Sequence, residues 1–580
     1  MPIEQLPIFC YYDVQRFQQY GSMNVANWYG ISVDAAKKKQ ALYPAMGRKH
    51  VSFLNQNRLI FNAEPRQVFR TLNFFYVVDG TRVLQYDRFY NERFLGSVAL
   101  TGNIWYAFLT VQLITYVLIS DETNLYLITE DGSPPTLALV TDPNQPDNPQ
   151  YIAAFGNRFV VSDKDTPNFY LTTIGVDGGV GSMFTINGAA LFGTASGIIG
   201  QFAVLHAQLY ILCSFVTDIW FNTPTQLTVA GVTRTFPWKL NTSNNWDYGI
   251  QDAKSLAVGF GRMIWLAQNI DGLVSFMGSS GNPPEDISSQ AINVILERST
   301  EPEGLSPFIE QDAIGFIYQY ENTIFYRVSA GTFLNFGVLD IDDTAHALEY
   351  NFATGTWARV IELNGERNRI QRHVYFNNVH LVTVQADTAM YQMAGNIYHN
   401  ELRTPDTTAQ ATDAFTKYPM RYELITAPIF NDDYSEFVDD YVEIDFVFGD
   451  RTFYRSEAPF LNTVFVVGEG STPTVPIYIL SEDDKYIIQD GTNTPAFDDN
   501  HYNALFKPHI ELYYSDDASV TFRSADLREF SPLGEYRWRM RWYELDVSRN
   551  RCYKLVCVSS APIVILGAVR STRRVSGGGN

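Results

Sequence analysis

The reading of the fold turns on two stretches. The first is Leu209-Tyr210-Ile211-Leu212-Cys213, a polar turn, then Asp218-Ile219-Trp220-Phe221. The second is Arg262-Met263-Ile264-Trp265-Leu266, a turn at Asp271-Gly272, then Leu273-Val274-Ser275-Phe276-Met277-Gly278. Each joins two apolar, β-branched and aromatic runs through a short polar turn, the pattern of a strand hairpin. A short helix signal follows at Pro284-Glu285-Asp286-Ile287-Ser288-Ser289-Gln290-Ala291-Ile292. Consecutive hairpins in this order are expected of β-propeller blades.

The same unit recurs on both sides. Phe74-Phe75-Tyr76-Val77-Val78 precedes Asp79-Gly80 and Val83-Leu84-Gln85-Tyr86, and Tyr116-Val117-Leu118-Ile119 precedes Leu125-Tyr126-Leu127-Ile128. Arg158-Phe159-Val160-Val161 goes with Phe169-Tyr170-Leu171. Beyond the central pair come Thr323-Ile324-Phe325-Tyr326, then Val379-His380-Leu381-Val382 with Met390-Tyr391-Gln392-Met393. About seven hairpins at intervals of roughly 40–60 residues are the signature of a blade repeat, and such sheets need neighbours on both faces, which closes them into a ring. Within the repeat Trp220 and Trp265 are structural. So are Gly355, placed to take a positive φ in a Thr-Gly turn, and Trp357, placed to pack between sheets.

Composition agrees with an all-β chain. Hydrophobic residues make up 46% and charged residues 18%, the latter below the roughly 25% of ordinary domains. Tyr (35) and Phe (40) are abundant, which favours strands. At 580 residues more than one core is expected. The expected organisation is an irregular segment over 1–48, a β-propeller over 49–403 and a linker over 404–419. A smaller β-sandwich-like domain over 420–570 follows, with a polar insertion near 466–505, and then a flexible tail over 571–580. The opening Met1-Pro2-Ile3-Glu4-Gln5-Leu6-Pro7 has neither the basic nor the apolar part of a signal peptide. The uncharged runs 96–120 and 178–217 are broken by Gly and Asn and read as buried strands, so no membrane insertion is expected.

The net charge of −21 excludes a uniformly basic nucleic-acid grip. An acidic surface serves solubility, or forms a channel wall past which DNA slides without sticking. Four cysteines make no disulfide framework, and neither Cys10 and Cys213 nor Cys552 and Cys557 have zinc-site spacing; the last two should face opposite sides of a strand. No phosphate loop, Gly-x-Ser-x-Gly elbow or His-Glu-x-x-His helix occurs. His373 and His380, seven apart, should point to opposite faces if one strand carries both. No cofactor or metal is expected, and the chain reads as a non-enzyme.

Two charged patterns are candidate surfaces. Asp432, Asp433, Glu436, Asp439 and Asp440 form a candidate acidic channel rim; their spacing matches no calcium loop. Arg537, Arg539 and Arg541 alternate with Tyr536, Trp538, Met540 and Trp542, so a strand would carry one guanidinium face and one aromatic face. The arginine face is a candidate ladder for acidic partners, within the chain or on a neighbouring subunit, in preference to DNA phosphates.

Several short elements resemble, in their order, the tail-tube (nozzle, or packaged-DNA stabilisation) family of short-tailed bacteriophages. They are the opening Met1-Pro2-Ile3 with Gln5-Leu6-Pro7, then Val25-Ala26-Asn27-Trp28-Tyr29, then Leu42-Tyr43-Pro44 with the turn glycine displaced to Gly47. Gly197-Ile198-Ile199-Gly200, Tyr210 to Phe221, and Ile287 to Ile292 follow. The likeness runs over roughly 1–400, weakly reaches Tyr553-Lys554-Leu555-Val556, and leaves the insertion unplaced. It implies a six-bladed propeller, against the seven hairpins counted, plus a β domain. It implies a virion-tail protein assembled in the host cytoplasm, with six copies forming a tube below the portal-adaptor ring. Such a tube would contact spikes or fibres and a plug or needle protein, retain packaged DNA and pass it at ejection. The alternatives are a propeller-based receptor-binding tail protein, with a ligand pocket on one propeller face, and a tail-associated glycoside hydrolase, with two facing carboxylates.

Overall fold

The computed structural model describes residues 3–6, 23–32, 40–51, 59–131, 134–186, 188–229, 232–241, 245–289, 292–293, 296, 313–330, 346–404, 414–430, 435–448, 477–480, 486–489, 509–517, 519, 521–529 and 537–574. Seven four-stranded antiparallel meanders follow one another along the chain. Blade 1 is Pro65–Arg70, Phe75–Asp79, Arg82–Tyr86 and Glu92–Ser97, and blade 2 is Trp105–Val111, Ile114–Ser120, Leu125–Glu130 and Leu137–Leu139. Blade 3 is Pro149–Phe155, Arg158–Asp163, Asn168–Leu171 and Phe192–Thr194, and blade 4 is Ile199–Leu205, Gln208–Cys213, Thr217–Phe221 and Lys239–Leu240. Blade 5 is Ala257–Gly259, Arg262–Gln268, Val274–Ser279 and Glu285–Asp286; blade 6 is Ile314–Tyr320, Thr323–Ala330, His346–Asn351 and Thr356–Arg359. Blade 7 takes Ile370–Phe376, Val379–Val384 and Met390–Ala394, and its fourth strand is Gly47–His50 from the far end of the chain.

The hairpins of the sequence are the two middle strands of these blades, one hairpin per blade. The described residues therefore form seven blades, one more than the six implied by the family resemblance. The middle strands are legible because both of their faces are buried: Phe75–Asp79 and Leu209 to Cys213 are buried at every residue. Six of the seven turns between first and second strands hold two residues, both at positive φ where the chain folds back: Gln112-Leu113, Gly156-Asn157, His206-Ala207, Phe260-Gly261, Glu321-Asn322 and Asn377-Asn378. That is the hairpin turn whose twist matches the flanking strands.

The ring closes between its ends. Val68, Phe75 and Val77 of blade 1 share a core with Val374, Phe376 and Leu381 of blade 7. The first strand of every blade lines a central channel of 530 Å³. Trp220 packs edge-on against Phe169 of blade 3, and Trp265 of blade 5 donates Nε1–H to the Gly249 carbonyl at 2.9 Å. Gly355 has φ +68° at the turn into the outer strand of blade 6, and Trp357 on that strand donates to the Ile287 carbonyl at 2.7 Å. Pro284 to Ile292, read as a helix signal, begins with the outer strand Glu285–Asp286 of blade 5; among the described residues of that stretch Ile292 alone is helical.

A second body is a sandwich of two sheets. One runs Trp28–Ser32, Gln40–Pro44, Ile563–Arg574, Phe437–Phe448, Arg537–Ser548, with Ile3–Gln5 paired to Ile563–Arg574. The other contains Asn24–Ala26, Ala414–Ile425, Cys552–Ser559, His509–Ser515 and Arg523–Glu529. Between them lies a core that includes Trp28, Tyr422, Val442, Ile444, Phe446, Leu512, Trp542, Leu555 and Ile563.

Three expected boundaries change. Residues 1–48 are not an irregular leader: Ile3–Gln5, Asn24–Ala26, Trp28–Ser32 and Gln40–Pro44 are sandwich strands, and Gly47–His50 closes the propeller. The expected linker ends in the strand Ala414–Ile425, whose first part pairs with His399–Thr404; residues 405–413 lie outside the described residues. The expected flexible tail begins inside the strand Ile563–Arg574, where Ser571 pairs with Tyr441; 575–580 lie outside the described residues. Of the insertion near 466–505 the described part is a hairpin, Ile477–Leu480 with Tyr486–Gln489. The uncharged runs 96–120 and 178–217 fold into blade strands and connecting loops, and no helix of the described residues is long and apolar enough to cross a membrane.

Candidate functional site

The two bodies are joined by shared strands. Asn24–Ala26 runs parallel to the outer strand of blade 6 through Ala26 and Arg359, and antiparallel to Ala414–Ile425 of the sandwich. His399–Thr404 bridges to Gly47–His50 of blade 7 on one side and to Ala414–Ile425 on the other. A single sheet of fourteen strands therefore runs from blades 6 and 7 into the sandwich.

Asn27-Trp28-Tyr29 sits at this joint. Asn27 is buried at φ +59°, a backbone region that Asn tolerates better than most residues. Its Nδ2 donates to the carbonyls of Ile361 (2.8 Å) and Arg421 (2.7 Å), and its Oδ1 accepts from the Ile361 amide at 3.1 Å. One side chain thus ties the loop between blades 6 and 7 to the sandwich. Trp28 stacks on Tyr422 in the sandwich core and donates to the Ile563 carbonyl at 2.9 Å. Tyr29 turns the other way, edge-on to Phe325 of blade 6. The motif was visible in the sequence; its role was not, because the side-chain partners of Asn27 lie more than 300 residues away.

A charged network surrounds the closing strand. Arg48 is fully buried and donates to Glu362 Oε1 at 2.6 Å and to the Glu401 carbonyl at 3.2 Å. Asn400 donates to the other Glu362 oxygen at 3.0 Å. Glu401 accepts from the His50 amide at 2.8 Å and meets the rings of His50 (2.5 Å) and His399 (3.3 Å). Burial alone would raise the Glu401 pKa, but the hydrogen bonds from His399 and His50 hold it well below the usual carboxylate range.

The candidate acidic rim does not form as a rim. Asp432 and Asp433 lie outside the described residues. Asp439 is fully buried inside the sandwich, where it meets Arg551 Nη1 at 3.1 Å, the Tyr553 hydroxyl at 2.5 Å and Arg570 Nη1 at 3.7 Å. The reason is a bulge next to it on Phe437–Phe448: Phe437 and Asp439 face inward, and beyond the bulge the inward positions become Val442, Ile444 and Phe446. Burial raises the Asp439 pKa, opposed by the Tyr553 hydrogen bond and the two guanidinium groups. Glu436 pairs with Arg549 at 3.1 Å and Asp440 with Arg573 at 3.1 Å.

The arginine ladder is a surface feature. Trp538, Met540 and Trp542 face the core while Arg537, Arg539 and Arg541 point outward. Their partners are on the adjacent strand: Arg537 Nε donates to Asp445 at 2.9 Å, and Glu443 takes Arg541 at 2.5 Å and Arg539 at 3.8 Å. The bulge that hides Asp439 also turns Glu443 and Asp445 out to meet the ladder. Three guanidinium groups share two carboxylates on the sheet edge, so the ladder is locally cationic on an acidic protein.

His373 and His380 do not face apart. The chain turns at Asn377-Asn378, which puts them on neighbouring strands with rings joined at 2.9 Å. His373 also stacks on Phe316 of blade 6. Burial first, then His380, Arg327 and Arg70, push the His373 pKa well below its ordinary 6.5, and burial lowers that of His380. The signal that would have found the pair was the Asn-Asn turn between them. Cys552 and Cys557 are both buried, with Cys557 in the sandwich core; burial raises both thiols. Among the described residues no group of three or more His, Cys, Asp and Glu side chains could hold a metal ion.

No protein-family model matches the sequence, and the search of curated proteins found no match. Solved structures similar to the chain include a streptogramin B lyase (8% identity, 60% of this chain and 98% of that one, TM-score 0.32). Others are the Pan2 WD40 domain of Neurospora crassa (7%, 57% and 89%, TM-score 0.33) and the Cps50 (Swd1) β-propeller domain of Myceliophteria thermophila (9%, 60% and 99%, TM-score 0.26). Similarity at this level says nothing about activity.

Proposed function

We propose that this chain is a structural subunit of the tail tube of a short-tailed bacteriophage. Six copies form a ring below the portal-adaptor ring, retain the packaged DNA and conduct it at ejection, without catalysis. The observation that carries the reading is the continuous sheet between propeller and sandwich, pinned by Asn27-Trp28-Tyr29. That motif is one of the elements in which the sequence resembles the nozzle family. A wall that must hold against packaged DNA gains from having no flexible hinge between its bodies, and shared strands remove one. The edge strand Arg537–Ser548, with its exposed arginines, offers an acidic neighbour a docking edge. Spikes or fibres and the plug or needle protein dock on the assembled tube, which is built in the host cytoplasm and ends in the virion tail. The blade number of seven departs from the family's six, and the reading does not rest on it.

The test compares particles assembled with and without the chain by electron microscopy. Loss of DNA from heads and tails truncated below the portal are expected without it. Complete tubes on DNA-filled heads that fail only to adsorb would overturn the proposal in favour of a receptor-binding protein.

A further inference from the structure

We infer that the central channel of the propeller is a binding site for an extended, carboxylate-rich peptide segment. Its volume of 530 Å³ lies within the range of ligand sites and far exceeds one ion. The charge of its wall is opposite to that of the protein. The chain has 63 acidic against 42 basic residues, yet the described wall carries the cations Lys254 and Arg372, the neutral ring of His373 and no carboxylate. Asp252, close to Lys254 in sequence, is engaged with backbone: its two oxygens accept from the Lys254 and Ala313 amides at 2.9 and 2.7 Å. Arg372 donates to Gln67 Oε1 at 3.1 Å and also has the half-buried Glu64 carboxylate within electrostatic reach.

The wall also suits a main chain. Among the described residues the first strand of each blade pairs with the second alone, so its other edge, with its amides and carbonyls, faces the channel. Unpaired strand edges hydrogen-bond an extended peptide. Half-exposed Phe108 and Val258 add apolar contact for side chains between the acidic ones. A compact anion would use the cations and leave the strand edges and the apolar wall idle.

The experiment is titration of the full chain with hexaglutamate by isothermal calorimetry, with hexalysine and polyphosphate as parallel probes. We expect hexaglutamate to bind, hexalysine not to bind, and affinity to fall as salt rises from about 0.05 to 0.5 M. Lys254→Gln with Arg372→Gln should weaken hexaglutamate at least about tenfold, while Lys239→Gln on the exposed outer strand of blade 4 leaves it unchanged. Should the double variant fail to fold, a photoreactive hexaglutamate on the unaltered chain decides, because it should crosslink within 105–108, 253–258 or 371–373. Absence of hexaglutamate binding, crosslinks confined to other surfaces, or binding of polyphosphate alone would overturn the inference.

Discussion

Replacing Asn27 with alanine should loosen the joint between propeller and sandwich by an amount that can be worked out. The side chain makes three buried hydrogen bonds, at 2.7, 2.8 and 3.1 Å, each with a net value of about 1 kcal/mol. Alanine at φ +59° adds about 1–2 kcal/mol of backbone strain. The expected loss for Asn27→Ala is therefore about 4 kcal/mol, a large part of the roughly 5–15 kcal/mol that holds a typical protein folded. Asn27→Gly loses the same bonds without the strain and should cost about 1 kcal/mol less. Asn27→Asp replaces two donors by a buried charge and should be the worst of the three. The assay is equilibrium urea unfolding of the full chain, followed by far-ultraviolet circular dichroism and tryptophan fluorescence. In the unaltered chain the two probes should coincide, because the bodies share strands. A loss below about 1 kcal/mol for Asn27→Ala would refute the reasoning, as would equal losses for the alanine and glycine variants.

Further outcomes follow from other parts of the molecule. Arg48→Met strands the buried Glu362 carboxylate and should destabilise by about 3–5 kcal/mol in urea; Glu362→Gln in the same chain should recover part of the loss, and simple additivity would contradict the pairing. Folding lowers the Glu401 pKa, so its contribution is intact above the ordinary 4.5 and fades as pH falls below it; Glu401→Gln should flatten the acid limb of the stability curve below pH 4.5. Folding also lowers the His373 and His380 pKa values, so stability falls as pH drops below 6.5, by at most about 1.4 kcal/mol per pH unit for each proton excluded; His373→Gln should reduce that slope. Leu113 is 96% exposed at φ +69°, next to Gln112 at φ +50°; Gln112→Asn with Leu113→Gly supplies the preferred hairpin turn and should raise stability by about 1–3 kcal/mol in the same urea assay.

How much was legible in the sequence divides by the range of the interaction. The middle hairpins of the blades could be read because burial on both faces and short turns are local properties: Leu209 to Phe221 carries its whole pattern in thirteen residues. The role of Gly47–His50 could not, because its partner Met390–Ala394, itself legible as a strand, lies at the other end of the propeller sequence. Parity arguments worked where strands are regular. Trp538, Met540 and Trp542 face the core as expected, and so does Cys557, on the face opposite to Cys552. Parity failed across the turn between His373 and His380, which puts the two on neighbouring strands, and the rim reading failed at Asp439, beside a bulge that resets which face a side chain occupies. The channel had no sequence signature at all: Lys254 and Arg372 come together only because seven inner strands form a ring.

The most direct test of the central claim is a cryo-electron microscopy reconstruction of intact virion tails, with this chain placed in the density. The account predicts six copies in a closed ring below the portal-adaptor ring, with propeller and sandwich in the relative orientation of the isolated chain. A chain found at the distal tip in another arrangement, or missing from the tube wall, would contradict it.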